Sequence, residues 1–213
     1  MQFIPEKDRQ YLRNEFSKLK KPVRIILFKE ESGCESCQNT LKLMEETTSL
    51  SEGLELLIYD LDKDRESANV YGVDRVPGVI VKGEKNHGIR FFGIPAGYEF
   101  SSLVEDIIDV GRGETSLSQT TKDKLSELRE PLHIQVFVTA ACPYCPKAVR
   151  IGHMMAMESN KITADMIMAN EFPQLSNRYG VMAVPKIIVN GAPSFEGALP
   201  EQEFVSHVLE GKV

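Results

Sequence analysis

The chain repeats itself. Shifting the sequence by 108 residues lays Asn69–Gly83 over Asn177–Gly191 with nine of fifteen positions identical, Tyr71/Tyr179, Gly72/Gly180, Val76/Val184 and Pro77/Pro185 among them. The same shift carries Cys34-Glu-Ser-Cys37 onto Cys142-Pro-Tyr-Cys145, and these two motifs hold all four cysteines. Self-similarity at a fixed offset constrains a fold before any local reading does, because each copy must reproduce the same elements in the same order. At 213 residues each copy has about 100, enough for a core of its own.

The patterns within the halves agree. Leu12, Phe16 and Leu19 recur at helical spacing and predict a leading amphipathic helix. Val23–Phe28 is apolar and β-branched, as a buried strand is. A helix follows from Cys34 to about Leu50, then a strand at Leu54–Tyr59, a short helix over Asp64–Tyr71, a hairpin of Val79–Lys82 with Ile89–Phe92, and a closing helix over Phe100–Val110. In the second half the matching features are a helix near Lys122–Leu128 capped by Thr120 or Thr121, strands at His133–Thr139 and Ile162–Met168, a hairpin over Ile187–Phe195, and a last helix with Pro200 in its first turn. Gly111–Ser118 is the polar joint. The expected fold is α/β, with two tandem units at 1–113 and 119–213, each a four-stranded mixed sheet flanked by helices.

Composition excludes several classes. A net charge of −6 argues against nucleic acid, whose phosphates need a net basic face. No apolar run approaches the roughly 20 residues of a membrane span. The charged first ten residues do not read as a signal peptide, so the expected compartment is the cytoplasm, where cysteines are more often catalytic or metal-binding than cross-linked. No G-x-G-x-x-G fingerprint for a dinucleotide is present, and no cofactor is expected.

In both halves an apolar strand runs into Cys-x-x-Cys at the start of a helix. Unpaired backbone N–H groups and the helix dipole favour negative charge there. The thiolate is the form that attacks disulfides, and such sites lower cysteine pKa values to about 3.5–7.5. The two-residue spacer brings the second cysteine within reach to resolve a mixed disulfide. Zinc sites share this spacing, yet the 104 residues between the pairs are far from a zinc-ribbon pattern. Val76-Pro77 and Val184-Pro185 each fall 43 residues after the first cysteine of their half, just before an apolar strand. Both Val–Pro bonds are expected to be cis, setting backbone beside the sulfurs to pair with an extended substrate.

Strand, Cys-x-x-Cys, helix, Val-Pro and hairpin in that order resemble the thioredoxin/glutaredoxin superfamily, and Cys142-Pro-Tyr-Cys145 matches the glutaredoxin tetrapeptide. The tandem arrangement, with Phe91–Phe100 in the first half and Val138–Arg150 in the second, resembles the protein disulfide oxidoreductases of thermophilic archaea and bacteria. The resemblance implies reduction, oxidation and isomerisation of disulfides in protein substrates. It also implies electrons from a thioredoxin reductase, catalytic roles for Cys34, Cys37, Cys142 and Cys145, and substrate binding at Val76, Pro77, Val184 and Pro185. A narrower reading is a dedicated electron donor to a peroxiredoxin, like the tandem segment of alkyl hydroperoxide reductase flavoproteins; a non-enzymatic one is a zinc-binding scaffold.

Two departures stand out. Thioredoxins keep a buried acid six residues before the first cysteine, where this chain has Phe28 and Val136, so Glu30, Glu31 or Glu171 could stand in only if the fold brings one close. Cys34-Glu-Ser-Cys37 matches no familiar tetrapeptide. His153, Met154, Met155 and Met157 read as ordinary helix residues, and His87 as solvated in its hairpin. Direction of turnover and oligomeric state are not encoded in any of these motifs.

Overall fold

The computed structural model describes residues 2–210, apart from the side chains of Pro193 and Ser194. The first half runs α1 (Glu6–Phe16), β1 (Val23–Lys29), α2 (Cys37–Thr48), β2 (Leu54–Asp60), α3 (Arg65–Tyr71), β3 (Gly78–Lys82), β4 (Asn86–Phe92) and α4 (Glu99–Arg112). The second runs α5 (Gln119–Ser126), β5 (Leu132–Val138), α6 (Cys145–Glu158), β6 (Ile162–Met168), α7 (Pro173–Arg178), β7 (Lys186–Val189), β8 (Ala192–Glu196) and α8 (Glu201–Glu210). Each half has the expected element order and its own four mixed strands.

The two sheets are continuous, in the order β2-β1-β3-β4-β6-β5-β7-β8. Ile89–Phe92 of β4 pair in parallel with Ala164–Ile167 of β6. That pairing buries one of the two edges each sheet would otherwise present and leaves β2 and β8 at the ends. Helices cover both faces, which is why the central strands are near-continuous apolar runs rather than alternating ones. Ile25 and Leu27 pack on the side of α1, α2 and α4. Ile26 and Phe28 pack on the other, beneath α3.

The junction is ionic as well as apolar. Arg90 stands directly opposite Asp165 across the β4–β6 pair and donates from Nε to its Oδ1 at 2.7 Å. Arg90 Nη1 also donates to the Gly72 carbonyl at 2.7 Å, at the left-handed end of α3 (φ 66°), where any β-carbon would sit 2.4 Å from that nitrogen. His133 Nε2 lies 2.5 Å from the other Asp165 oxygen. Burial by itself would raise the Asp165 carboxyl; the His133 hydrogen bond and the Arg90 charge together hold it below its ordinary value. On the helical layer α4 packs against α6, where Arg150 binds Asp106, Asp109 and Glu105, and His153 Nδ1 meets Asp106 at 2.6 Å.

Several boundaries differ from expectation for local reasons. Ser118, not Thr120 or Thr121, caps α5, its Oγ accepting from the Thr121 N–H at 3.3 Å. Gly111 and Arg112 belong to α4 rather than to the joint. Gly111 lies against Leu19, whose Cδ2 would be 2.5 Å from any β-carbon there. The helix stops at Gly113 in the left-handed region, φ 77°. Pro200 lies just outside α8, its carbonyl accepting from the Phe204 N–H. His87 is half-buried, and burial, then the Lys85 charge, push its pKa down. His153, Met154, Met155 and Met157 are all buried.

Removing one partner of a buried ion pair leaves the other charge stranded, at a cost of about 3 kcal/mol. Arg90→Ala should therefore lower stability by about that amount, read as a fall in the urea midpoint against the parent protein, while the exposed pair partner Arg24→Ala should cost under about 1 kcal/mol.

Candidate active sites

Each Cys-x-x-Cys lies between the end of a buried strand and the start of a helix, and both pairs are disulfide-bonded, with Cα–Cα distances of 5.4 and 5.5 Å. The helices begin one turn later than expected, at Cys37 and Cys145, so the first cysteine of each pair sits in the turn before the helix and the second in its first position. The helix start still serves the first sulfur: the Cys145 N–H points back at Cys142 Sγ, 3.1 Å away. Cys37 and Cys145 are wholly buried, Cys34 is half-buried, and Cys142 is buried with only a 9% residual exposure. In each pair the second cysteine is the more deeply buried, by a wide margin at Cys34–Cys37 and a narrow one at Cys142–Cys145.

Val76–Pro77 and Val184–Pro185 are both cis. The Val184 carbonyl oxygen lies 3.9 Å from Cys142 Sγ, and Val76 lines the same cleft as Cys34. Each proline carbonyl accepts from a glycine beyond the hairpin, Gly93 on Pro77 and Gly197 on Pro185, which fixes the loop against the sheet. All eight residues expected at the sites are thus gathered into two equivalent constellations.

The surroundings of the two sites differ. Beside Cys142, Tyr144 is 71% exposed and Pro143 is exposed too, and Met182, two residues before Val184, is 92% exposed. Around Cys34 a cleft of about 570 Å³ is lined by Glu35, Ser36, Asn39, Ile94 and, from the second half, Asn170 and Glu171. Of the three acids that could have stood in for the missing one, Glu31 turns outward to Lys63, Glu30 stays outside the cleft, and Glu171 enters it. Phe28 and Val136 are fully buried among apolar neighbours.

Glu99 is a buried acid that the motifs do not mark. It opens α4 straight after Gly97 and Tyr98, whose backbone abuts Ala140 two residues before Cys142, and α4 packs on the helix that carries Cys145. The carboxyl is wholly buried; Oε2 accepts from Ser102, and Oε1 has no partner among the described residues. Burial raises its pKa to about 7, opposed only by the Ser102 hydrogen bond. A signal existed: Glu99 shares one helical face with Leu103, Asp106 and Val110, all of them buried.

What this geometry defines is a thiol–disulfide oxidoreductase of thioredoxin-like build, present twice in one chain. A family model for the thioredoxin domain matches residues 132–210. A Staphylococcus aureus alkyl hydroperoxide reductase component is 30% identical over 164 residues, which are 77% of this chain and 30% of that protein. The chain therefore spans about 30% of the length of the curated relatives it matches. A protein disulfide oxidoreductase from Aeropyrum pernix has a TM-score of 0.90 and 36% identity, covering 96% of this chain and 91% of that one. The corresponding alkylhydroperoxide reductase component of Enterococcus faecalis, in a mutant structure, also has a TM-score of 0.90 at 28% identity, covering 97% and 100%. The chain belongs to the protein disulfide oxidoreductases built from tandem thioredoxin-like domains.

The Glu99 carboxyl gives a pH prediction. Its folded pKa of about 7 lies above the ordinary value of 4.5, so folding favours the protonated acid; the full stability is present below pH 4.5 and is lost as pH rises through 7. Glu99→Gln keeps the shape and removes this loss. Relative to the parent, it should gain about 2 kcal/mol of unfolding free energy between about pH 5 and pH 8 in urea titrations. An unchanged difference between the two proteins across that range would place Glu99 in water.

Proposed function

We propose that the chain exchanges dithiols for disulfides in protein substrates, with residues 1–113 and 119–213 each forming a complete exchange unit. The observation that carries this reading is the duplicated constellation: a first cysteine less buried than the second, and a cis Val–Pro in the same half. Cys34 or Cys142, as the thiolate, attacks a substrate disulfide and forms a mixed disulfide, releasing one substrate thiolate. Cys37 or Cys145 then gives up its proton and attacks the first cysteine's sulfur. The enzyme disulfide closes, the second substrate thiolate leaves, and two electrons have passed to the substrate. Run backward, the same steps oxidise a dithiol; stopped at the mixed disulfide, they permit isomerisation. Val76-Pro77 and Val184-Pro185 offer backbone to an extended substrate segment at the sulfurs.

Electrons must reach the oxidised pairs from another protein or from glutathione, and a thioredoxin reductase is the proposed donor in the cytoplasm. A peroxiredoxin is the alternative acceptor, in keeping with the alkyl hydroperoxide reductase relatives. A zinc scaffold drawing on all four thiolates conflicts with the topology, since the two motifs follow β1 and β5, four strand positions apart in the sheet. Insulin reduction measured beside the refolding of scrambled ribonuclease separates reductase from isomerase, and a chain inactive in both would sink the proposal.

The second site should be the stronger catalyst. Glu35 adjoins Cys34 and a like charge disfavours a thiolate, whereas Pro143 and Tyr144 add no charge beside Cys142. Cys142→Ser should accordingly cost more insulin-reducing activity than Cys34→Ser. Equal losses, or a larger one from Cys34→Ser, would refute the charge argument.

A further inference from the structure

We propose that Glu171, which belongs to the second unit, is a positioning residue of the first redox site, holding the Cys34–Cys37 turn through Ser36 and setting the charge beside it. The proposal rests on the exchange reading given above and names a residue of that same site.

Glu171 is held from behind. It lies in the short loop between β6 and α7, where the Ala169 N–H donates to the Val138 carbonyl, the Glu171 N–H to the Met168 carbonyl, and the Ser176 hydroxyl to the Ala169 carbonyl. From this support its side chain crosses to the first unit. Oε1 accepts from the Ile94 N–H at 2.9 Å, and Oε2 accepts from the Ser36 hydroxyl. The approach depends on Gly93, which has φ 91° and leaves no room for a side chain: a β-carbon there would lie 2.5 Å from Met168 Cβ and 2.9 Å from Glu171 Oε1. Ser36 is the residue between Glu35 and Cys37, and its own carbonyl accepts from both the N–H and the hydroxyl of Thr40 in α2.

The repeat supplies an internal control. Under the 108-residue shift Ser36 becomes Tyr144 and Glu171 becomes Lys63. Tyr144 is largely exposed, and Lys63 pairs with Glu31 at the surface. Among the described residues the second site has no counterpart of the link, so the duplication did not bring it along. A carboxylate anchored on the turn acts in three ways. It fixes the loop that carries Cys34, and by accepting the Ser36 hydroxyl hydrogen bond it keeps that hydroxyl from donating to a nearby thiolate. Its charge disfavours the Cys34 thiolate as well. Glu171 acts through Ser36 and through its field rather than on the exchanging sulfurs.

The experiment uses the full chain with one site left, Cys142→Ser/Cys145→Ser, reduced and then alkylated with iodoacetamide across pH, with the Cys34 peptide followed by mass spectrometry. Glu171→Gln retains an acceptor and drops the charge. It should lower the Cys34 alkylation midpoint by about half a pH unit, giving roughly threefold more thiolate below the midpoint. Ser36→Ala, which cuts the link to the turn while the Ile94 N–H still holds the charge nearby, should shift it the same way but by less, and adding Glu171→Gln to it should restore the full shift. In the reciprocal chain, Cys34→Ser/Cys37→Ser, the Cys142 midpoint should stay put. A Cys34 midpoint unmoved by Glu171→Gln and by Ser36→Ala overturns the proposal, as does an equal shift at Cys142; either of the two variants decides it if the other fails to fold. Thiolate titration needs no turnover, so this outcome is separate from loss of the exchange reading, which would show as failure of the parent chain to reduce insulin.

Discussion

The pairing of β4 with β6 is the contact on which the rest of the molecule depends. Without it the chain would be two four-stranded sheets, each with two bare edges instead of one. With it, Arg90 and Asp165 meet across the seam in a region closed to water. A buried ion pair is weak evidence for stability, because desolvation offsets most of the attraction. Its effect here is on register. A slip by one residue would turn every side chain of the strand to the opposite face and leave both charges unpaired. The seam also sets the distance at which α4 meets α6, and so the burial of Glu99 and the approach of the loop after β4 to the second site.

The helical layer repeats this logic with more charge. Arg150 reaches three carboxylates of α4, and its guanidinium is almost wholly buried. Burial, reinforced by the Arg150 charge, drives His153 down to about 3, so the ring stays neutral against Asp106 and the edge of Phe91. Burial together with the Glu105 charge lifts Asp109 to about 6. The two halves are thus locked by groups that each half alone would leave uncompensated. Such a lock explains how reactive turns can sit on loops while the scaffold beneath them stays fixed.

Much of this was legible in the sequence, because the repeat lets each half check the other. The strands are short apolar runs at matching positions, and the cysteines and Val–Pro pairs keep a constant interval, so the two constellations follow from spacing alone. What the sequence hides is everything that joins the halves. Edge strands carry no mark of which partner they take, although Arg90 among Ile89, Phe91 and Phe92, and Asp165 beside Ala164 and Met166, are charges in apolar strands that have to find partners. Glu99 was legible on its helix face. Glu171 was one of three acids the sequence offered, and nothing in it singles out that one, since no periodicity or motif ties a loop after β6 to a turn 135 residues earlier.

The strand directions set the geometry between the sulfurs. β1 runs antiparallel to β3 and β3 to β4, so β1 and β4 run the same way; β4, β6 and β5 are parallel in turn. Both catalytic turns therefore open at one rim of the sheet, separated by four strand spacings, about 19 Å. Exchange requires sulfurs in bonding contact, so the two pairs cannot trade electrons directly. Any traffic between them is ferried by a third sulfur, on a polypeptide long enough to reach from one turn to the other: at about 3.3 Å per residue, roughly six extended residues would span the rim.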